Sequence, residues 1–386
     1  LRWVINLHSS VLKRQIDLNP EASMGDFYDI VSQFKIEGKI KDILPIGNGL
    51  INETLRVSTI AADTPDYILQ RINNNVFPDV NLLQHNIEAV TTHIHNKLKE
   101  LGEEDVNRKC LHFIESVGGK TYYQDANGNY WRMSIFIPDS FTKEEVSSES
   151  AFCCGETFGN FEKILLDLDE PLGEVIPNFH NMEVRLRQLH EAVVADKMGR
   201  VASVRDILSE IERNADEMCL AEKLYRDKVL PKRICHCDTK VNNMLFDSDG
   251  KVLCVIDLDT VMPSFIFSDY GDFLRTGANY VAEDSDDYQA VGLKEDIFCA
   301  FTEGYLRTAG SFLTDIEISH LPYAVALFPF MQCVRFLTDY INGDVYFKTK
   351  YAEHNYVRSR NQLHLYRDVR RHDQMMNEFI KKILKL

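Results

Sequence analysis

The sequence has no uninterrupted apolar run approaching the ~20 residues that a bilayer-spanning helix requires. Internal repeats and low-complexity tracts are missing as well. Basic residues are in short supply: 43 Lys and Arg face 59 Asp and Glu, a formal charge of −16, which works against tracking a polyanion such as duplex nucleic acid or coating an anionic membrane. A local basic pocket is still compatible with that balance. The nine cysteines are odd in number, and neither Cys153-Cys154 nor Cys235-x-Cys237 has the two-residue spacer and matching second pair of a structural zinc site. They read as reduced, buried thiols. The opening LRWVINLHSSVLK holds only a short broken apolar stretch and no small-residue cleavage site, so it does not read as a secretory signal. The expectation is a cytoplasmic protein, monomer or weak dimer, with no nucleic-acid or membrane partner.

What is present is a chain of 386 residues, 45% hydrophobic and 26% charged, long enough for two packed units. Apolar spacing predicts a short helix over 26–34, strands at 43–46, 54–60 and 67–72, and a helix over 81–101. Asn127-Gly128 predicts a hairpin between strands at 121–124 and 130–137. Beyond Pro138 the period becomes helical at 148–168, 181–196, 204–228, 286–308, 315–341 and 353–386, broken only by two short apolar strands near 234–245 and 252–257. This order predicts a bilobed α+β fold with a small β-rich lobe, a connecting strand and a larger helical lobe. The expected divisions are an extension and helix over 1–36, a nucleotide-binding lobe over 37–138 and a catalytic, substrate-binding lobe over 139–386. The cleft is expected at the connection.

One stretch carries chemistry. His236-x-Asp238 with Asn243 five residues beyond the Asp has the spacing of a kinase catalytic loop, and the next apolar strand delivers Asp257. Phosphoryl transfer asks a protein for a carboxylate that receives the hydroxyl proton, oxygen ligands for Mg²⁺ and cations on the phosphates. Asp238 fits the first role, Asn243 and Asp257 the second and Lys240 the third, while His236 braces the loop. Ordinary turn chemistry also favours Asp and Asn in loops. Upstream, Gly47-Asn48-Gly49-Leu50-Ile51-Asn52 between two strands could fold its backbone over phosphates or form a plain hairpin. Either Gln70 or Arg71 occupies the place of the basic residue for the α- and β-phosphates, with Glu88 as a pairing candidate for Arg71. Residues 134–137, with Phe136, offer backbone groups to adenine.

The pattern His-x-Asp-x-x-x-x-Asn followed by Ile256-Asp257-Leu258-Asp259 resembles the aminoglycoside phosphotransferase and choline kinase superfamily, which has Ile-Asp-x-Asp/Glu in place of the Asp-Phe-Gly of protein kinases. More closely, HCDTKVNNMLFD, VIDLDTVMPSF, SDYGDFLRT and VRFLTDYINGDVYFK resemble the N-acetylhexosamine 1-kinases. That resemblance implies a protein-kinase-like fold and ATP- and Mg²⁺-dependent phosphorylation of the anomeric hydroxyl of N-acetylglucosamine or N-acetylgalactosamine. It implies Asp259 beside Asn243 and Asp257 as metal ligands, and Arg335 and Tyr346 as sugar contacts. Cys237 stands where glycine is usual. From the residues alone, Arg335 could equally pair with Asp339 one helical turn on. Asp269, Asp272 and Arg275 read as braces. A choline- or aminoglycoside-type kinase and a pseudokinase-like binding module are the alternatives.

Overall fold

The computed structural model describes residues 24–46 and 52–385. In chain order its elements are α1 (Met24–Val31), β1 (Ile40–Pro45), β2 (Glu53–Thr59), β3 (Tyr67–Ile72), α2 (Val80–Glu100), α3 (Val106–Lys109), β4 (Tyr122–Gln124) and β5 (Tyr130–Ile135). There follow α4 (Ser148–Ile164), α5 (Met182–Ala195), α6 (Arg205–Met218), α7 (Leu220–Arg226), β6 (Arg233–Cys235), β7 (Met244–Phe246), β8 (Val252–Val255) and β9 (Met262–Ser264). The chain finishes in α8 (Phe267–Gly277), α9 (Glu295–Ala309), α10 (Asp315–Ser319), α11 (Leu321–Asn342), α12 (His354–Arg371) and α13 (Asp373–Leu384). A β-sheet region thus precedes a mostly helical remainder, the α+β class that the order of periods predicts.

The chain divides into two compact units, one of residues up to Pro78 with His112–Phe136, the other of Asp79–Leu111 with the residues from Ile137 on. In the first, five antiparallel strands run in the order β1-β2-β3-β5-β4. Alternation puts Leu55, Val57, Tyr67, Leu69, Trp131 and Met133 on one face, buried against Ile30, Val31 and Phe34 from α1 and its C-terminal turn. The predicted hairpin forms: Gly128 takes φ +85°, and Asp125 accepts from the Asn127 and Asn129 amides and from Trp131 Nε1.

Residues 79–111 cluster with the second unit, although the boundary read from sequence assigns them to the first. The cause is burial within the helical unit: Asn86, fully buried on α2, donates to the Gly173 and Val261 carbonyls at 2.8 and 2.9 Å. Several predicted helices are shorter or divided, among them the 353–386 helix, which breaks at His372 between α12 and α13. The 204–228 helix breaks at Cys219, the 286–308 helix begins only at Glu295, and the 315–341 helix is interrupted at His320, where Pro322 opens α11. α11, 22 residues long, is also long and apolar enough to cross a bilayer, a length the sequence reading does not find. It is a core helix here, with 78% of its most apolar window buried.

α4 and α9 cross with glycines at the contact. A Cβ on Gly155 would lie 2.2 Å from the Phe301 carbonyl oxygen, and one on Gly304 2.1 Å from that of Phe152. Because both obstacles are backbone, relief requires the helices to separate. Gly304→Ala should therefore cost about 2 kcal/mol or more and lower the thermal midpoint by roughly 3 °C, read by calorimetry. An unchanged midpoint would show that the crossing yields freely.

Candidate active site

The catalytic-loop motif lies between β6 and β7, in the second unit. β6 pairs with β9 and β7 with β8, all antiparallel, so two short ribbons carry the loop's two ends. His236 is fully buried, its ring meeting Phe158 and Phe161 edge-on at 5.8 and 6.0 Å. Its Nδ1 accepts from the Asp238 amide at 3.3 Å, which fixes the proton on Nε2, and Nε2 donates to the Ile256 carbonyl at 2.9 Å. One imidazole thereby ties the loop to the residue preceding Asp257.

Asp269, on the first turn of α8, fastens the loop from behind. Its carboxylate accepts from the His236 and Cys237 amides at 2.8 and 2.7 Å, and its carbonyl accepts from Thr239 Oγ1 at 2.7 Å. Burial pushes the Asp269 carboxyl up to about 6, against the pull of His236 and the two amides. Cys237 has φ +63°, the left-handed region where glycine is unstrained, so the loop takes the glycine-type conformation with a side chain in place. Glu162, Cys235 and Asp269 also bring possible metal-ligand atoms within 4.8 Å of one another. Both Asp269 oxygens serve loop amides and Glu162 accepts from Tyr305, so this cluster reads as packing behind the loop.

Asp238 is the polar centre. Lys240 Nζ lies 2.6 Å from its Oδ1, and Asn243 Nδ2 donates to its carbonyl at 2.8 Å and to its Oδ2 at 3.2 Å. Burial pushes the Asp238 carboxyl up, but Lys240, His236 and Asn243 outweigh it and hold the group below the usual carboxylate range. Burial likewise pulls Lys240 down, and Asp238 with Asp272 more than restores it. Asp238 is therefore an anion and Lys240 a cation at neutral pH. With Nδ2 committed to Asp238, Asn243 has Oδ1 as its remaining ligand atom. Asp257 is exposed and left-handed at φ +58°, whereas Asp259 is buried. The donor set is hard oxygen throughout, which fits Mg²⁺.

Arg335 has no bond to Asp339, whose oxygens serve other donors. Its Nη1 donates to Gln332 Oε1 at 2.8 Å, and its guanidinium lies 5.2, 6.0 and 5.5 Å from the Phe179, Tyr346 and Phe347 ring centres. Arg185 donates to the Phe179 carbonyl at 2.6 and 3.2 Å. His180 stacks on Phe179 at 4.3 Å and shares a hydrogen bond with Ser268 Oγ through Nδ1. Burial, reinforced by Arg335 and Arg185, pulls His180 far down, so it is neutral. Burial and Arg335 pull Arg185 to about 10. Sequence reasoning misses Phe179, His180 and Arg185, since a lone His before a helix cap has no local signature. Asp272 and Arg275 pair at 2.9 Å, and Arg275 reaches Glu283 at 2.8 Å, the bracing read from sequence.

In the first unit, Arg71 pairs with Glu53 at 3.0 Å across the β2–β3 ladder. Gln70 points to the opposite face, bonded to Thr54 and to the buried Arg132. Asn52 accepts from the Asn73 amide, and Phe136 donates its amide to Asp66 while Arg56 covers its ring at 4.1 Å. Glu88 lies on α2, in the second unit. Gly47 and Gly49 lie outside the described residues.

Residues 144–309 match the family model described as APH, phosphotransferase enzyme family. Among solved structures, an aminoglycoside phosphotransferase from Alicyclobacillus acidocaldarius is similar at TM-score 0.57 and 12% identity, over 93% of this chain and 96% of that one. An amicoumacin kinase in complex with AMP-PNP and Ca²⁺ is similar at TM-score 0.57 and 11% identity, over 96% of each chain. An ethanolamine kinase from Plasmodium vivax is similar at TM-score 0.52 and 15% identity, over 83% and 82%. These likenesses establish a shared fold, and the matched segment contains the whole loop from His236 to Asp259. Residues 144–309 of this chain are thus similar to the phosphotransferase enzyme family, on a kinase-like fold.

Proposed function

We propose that the chain transfers a phosphoryl group from ATP to the anomeric hydroxyl of an N-acetylhexosamine, giving the sugar 1-phosphate and ADP. The observation that carries the chemistry is Asp238, held as an anion against Lys240 on a loop pinned by His236 and Asp269. Asp238 accepts the proton of the attacking hydroxyl as the new O–P bond forms and the bond to ADP breaks. Lys240 meets the charge on the transferring group. Asn243, Asp257 and Asp259 would hold Mg²⁺, which supplies charge neutralisation on the phosphates. Asn52, Arg71, Phe136 and Glu88 stay as nucleotide-side residues of this reading, with Gly47 and Gly49 from the glycine turn.

The choice of acceptor rests on Arg335. Its neighbours include an amide oxygen, three rings, Asp272 and two further arginines, Arg185 and Arg275, an excess of positive charge that would repel a choline or an aminoglycoside and suits hydroxyl and acetamido oxygens. The test is turnover with ATP, Mg²⁺ and a panel of N-acetylhexosamines, choline and aminoglycosides, with the product phosphate located by ³¹P NMR. An anomeric phosphate on the sugar is the expected product. Phosphocholine, a phosphorylated aminoglycoside or no turnover at all would each overturn the reading. Arg335→Ala should cost roughly 1.5 to 3 kcal/mol in kcat/KM for the sugar, with KM for ATP and the thermal midpoint near wild type. A lowered midpoint with unchanged sugar kinetics would make Arg335 structural.

A further inference from the structure

Asp339 is 4% exposed, on the last turn of α11. Its Oδ1 accepts from the Val345 and Tyr346 amides, each at 2.9 Å, and its Oδ2 from the Phe347 amide and Asn355 Nδ2, each at 2.9 Å. Three successive backbone amides and one side-chain amide thus converge on one carboxylate, a nest built around a protein anion. Asn355 also donates to Asp344 Oδ1, and Arg200 pairs with the other Asp344 oxygen at 2.6 Å. The tip so fastened is itself in water: Val345 is 78% and Tyr346 61% exposed. An exposed tip gains little from packing, yet a buried charge is committed to holding its backbone. What that backbone presents is the rings of Tyr346 and Phe347 against Arg335.

We propose that Asp339 is the positioning residue of the acceptor loop, fixing Tyr346 and Phe347 so that Arg335 meets the acceptor in one preformed geometry. This rests on the reading of Arg335 and Tyr346 as acceptor contacts. Asp339→Asn keeps the side-chain volume but turns one acceptor into a donor facing the Phe347 amide, releasing that end of the loop.

The experiment is steady-state kinetics with N-acetylglucosamine and ATP both varied, on the wild type, Asp339→Asn, Tyr346→Ala and the double variant. A thermal melt of each accompanies the kinetics. Expected are a rise of at least ~10-fold in KM for the sugar with Asp339→Asn, KM for ATP within about twofold, and little further loss in the double variant. Asn355→Ala, which removes one of the four donors, should shift the sugar KM in the same direction and serves if Asp339→Asn does not fold. A lowered midpoint with unchanged sugar KM, an equal rise in both KM values, or additive losses in the double variant would each overturn the proposal. Should the wild type phosphorylate choline and not the sugar, the function reading fails, and the same KM comparison made with choline decides the role of Asp339.

Discussion

Asp238→Asn is expected to lower kcat by at least ~10²-fold while affinity for ATP stays within about twofold. Asn keeps the planar shape, so the hydrogen bond from Asn243 to the backbone carbonyl and the pin through His236 have no reason to break. What is removed is the charge. The carboxylate can accept the hydroxyl proton and the carboxamide cannot, and Lys240, now 2.6 Å from Asp238 Oδ1, loses the stronger of the two anions that offset its partial burial, Asp272 remaining. The sign of the Asp238 shift adds a check. Its carboxyl is held below the ordinary range, so the group stays ionised at neutral pH and the stability it contributes is lost only as the pH falls through its lowered value. A wild-type kcat that already falls between pH 7 and 6 must have another group behind it. Asp269, pushed up to about 6, is placed to be that group, since its carboxylate holds the loop amides. Turnover of Asp238→Asn near wild type, measured beside calorimetric ATP binding, would remove Asp238 from the mechanism.

The sequence is legible where local spacing sets the geometry. His236, Asp238 and Asn243 lie within eight residues, so one short loop brings them together whatever surrounds it, and the period-two strands of the sheet are readable for the same reason. α8 is missed by the sequence reading although its spacing is amphipathic: Ser268, Asp269, Asp272 and Arg275 share one face and Phe267, Tyr270, Phe273 and Leu274 the other, and the fold buries both. The site around Arg335 joins segments some 150 residues apart in sequence, near Phe179, Arg335 and Tyr346. The i, i+4 rule points to Asp339 as the partner of Arg335, but that rule describes neighbours on a helix surface. Near a C-terminus a carboxylate can instead turn to the amides of the chain that follows. Gln70 and Arg71 are separable only once the ladder is known, because strand alternation puts them on opposite faces.

Asp257 should show the other large effect. It stands after β8 at φ +58° and ψ +56°, a conformation that Asp and Asn tolerate better than other side chains, and the Ile256 carbonyl before it is held by His236. Replacement by Ala would mix two losses, the carboxylate and the ease of the left-handed turn, the latter costing about 1 kcal/mol. Asp257→Asn separates them, since it keeps the turn and leaves a single neutral oxygen in place of an anionic ligand. A hard dication such as Mg²⁺ discriminates strongly between the two, so affinity for the Mg²⁺–ATP complex should fall by at least ~10²-fold. Affinity for ATP in chelator should stay unchanged. Calorimetric titration with and without Mg²⁺ reads both quantities, and a melt shows whether the turn has kept its shape. If Asp257→Asn binds Mg²⁺–ATP as the wild type does, Asp257 is no metal ligand and Asn243 with Asp259 must hold the ion alone. If binding is lost equally with and without Mg²⁺, the residue acts on the nucleotide's surroundings and the assignment to the metal fails.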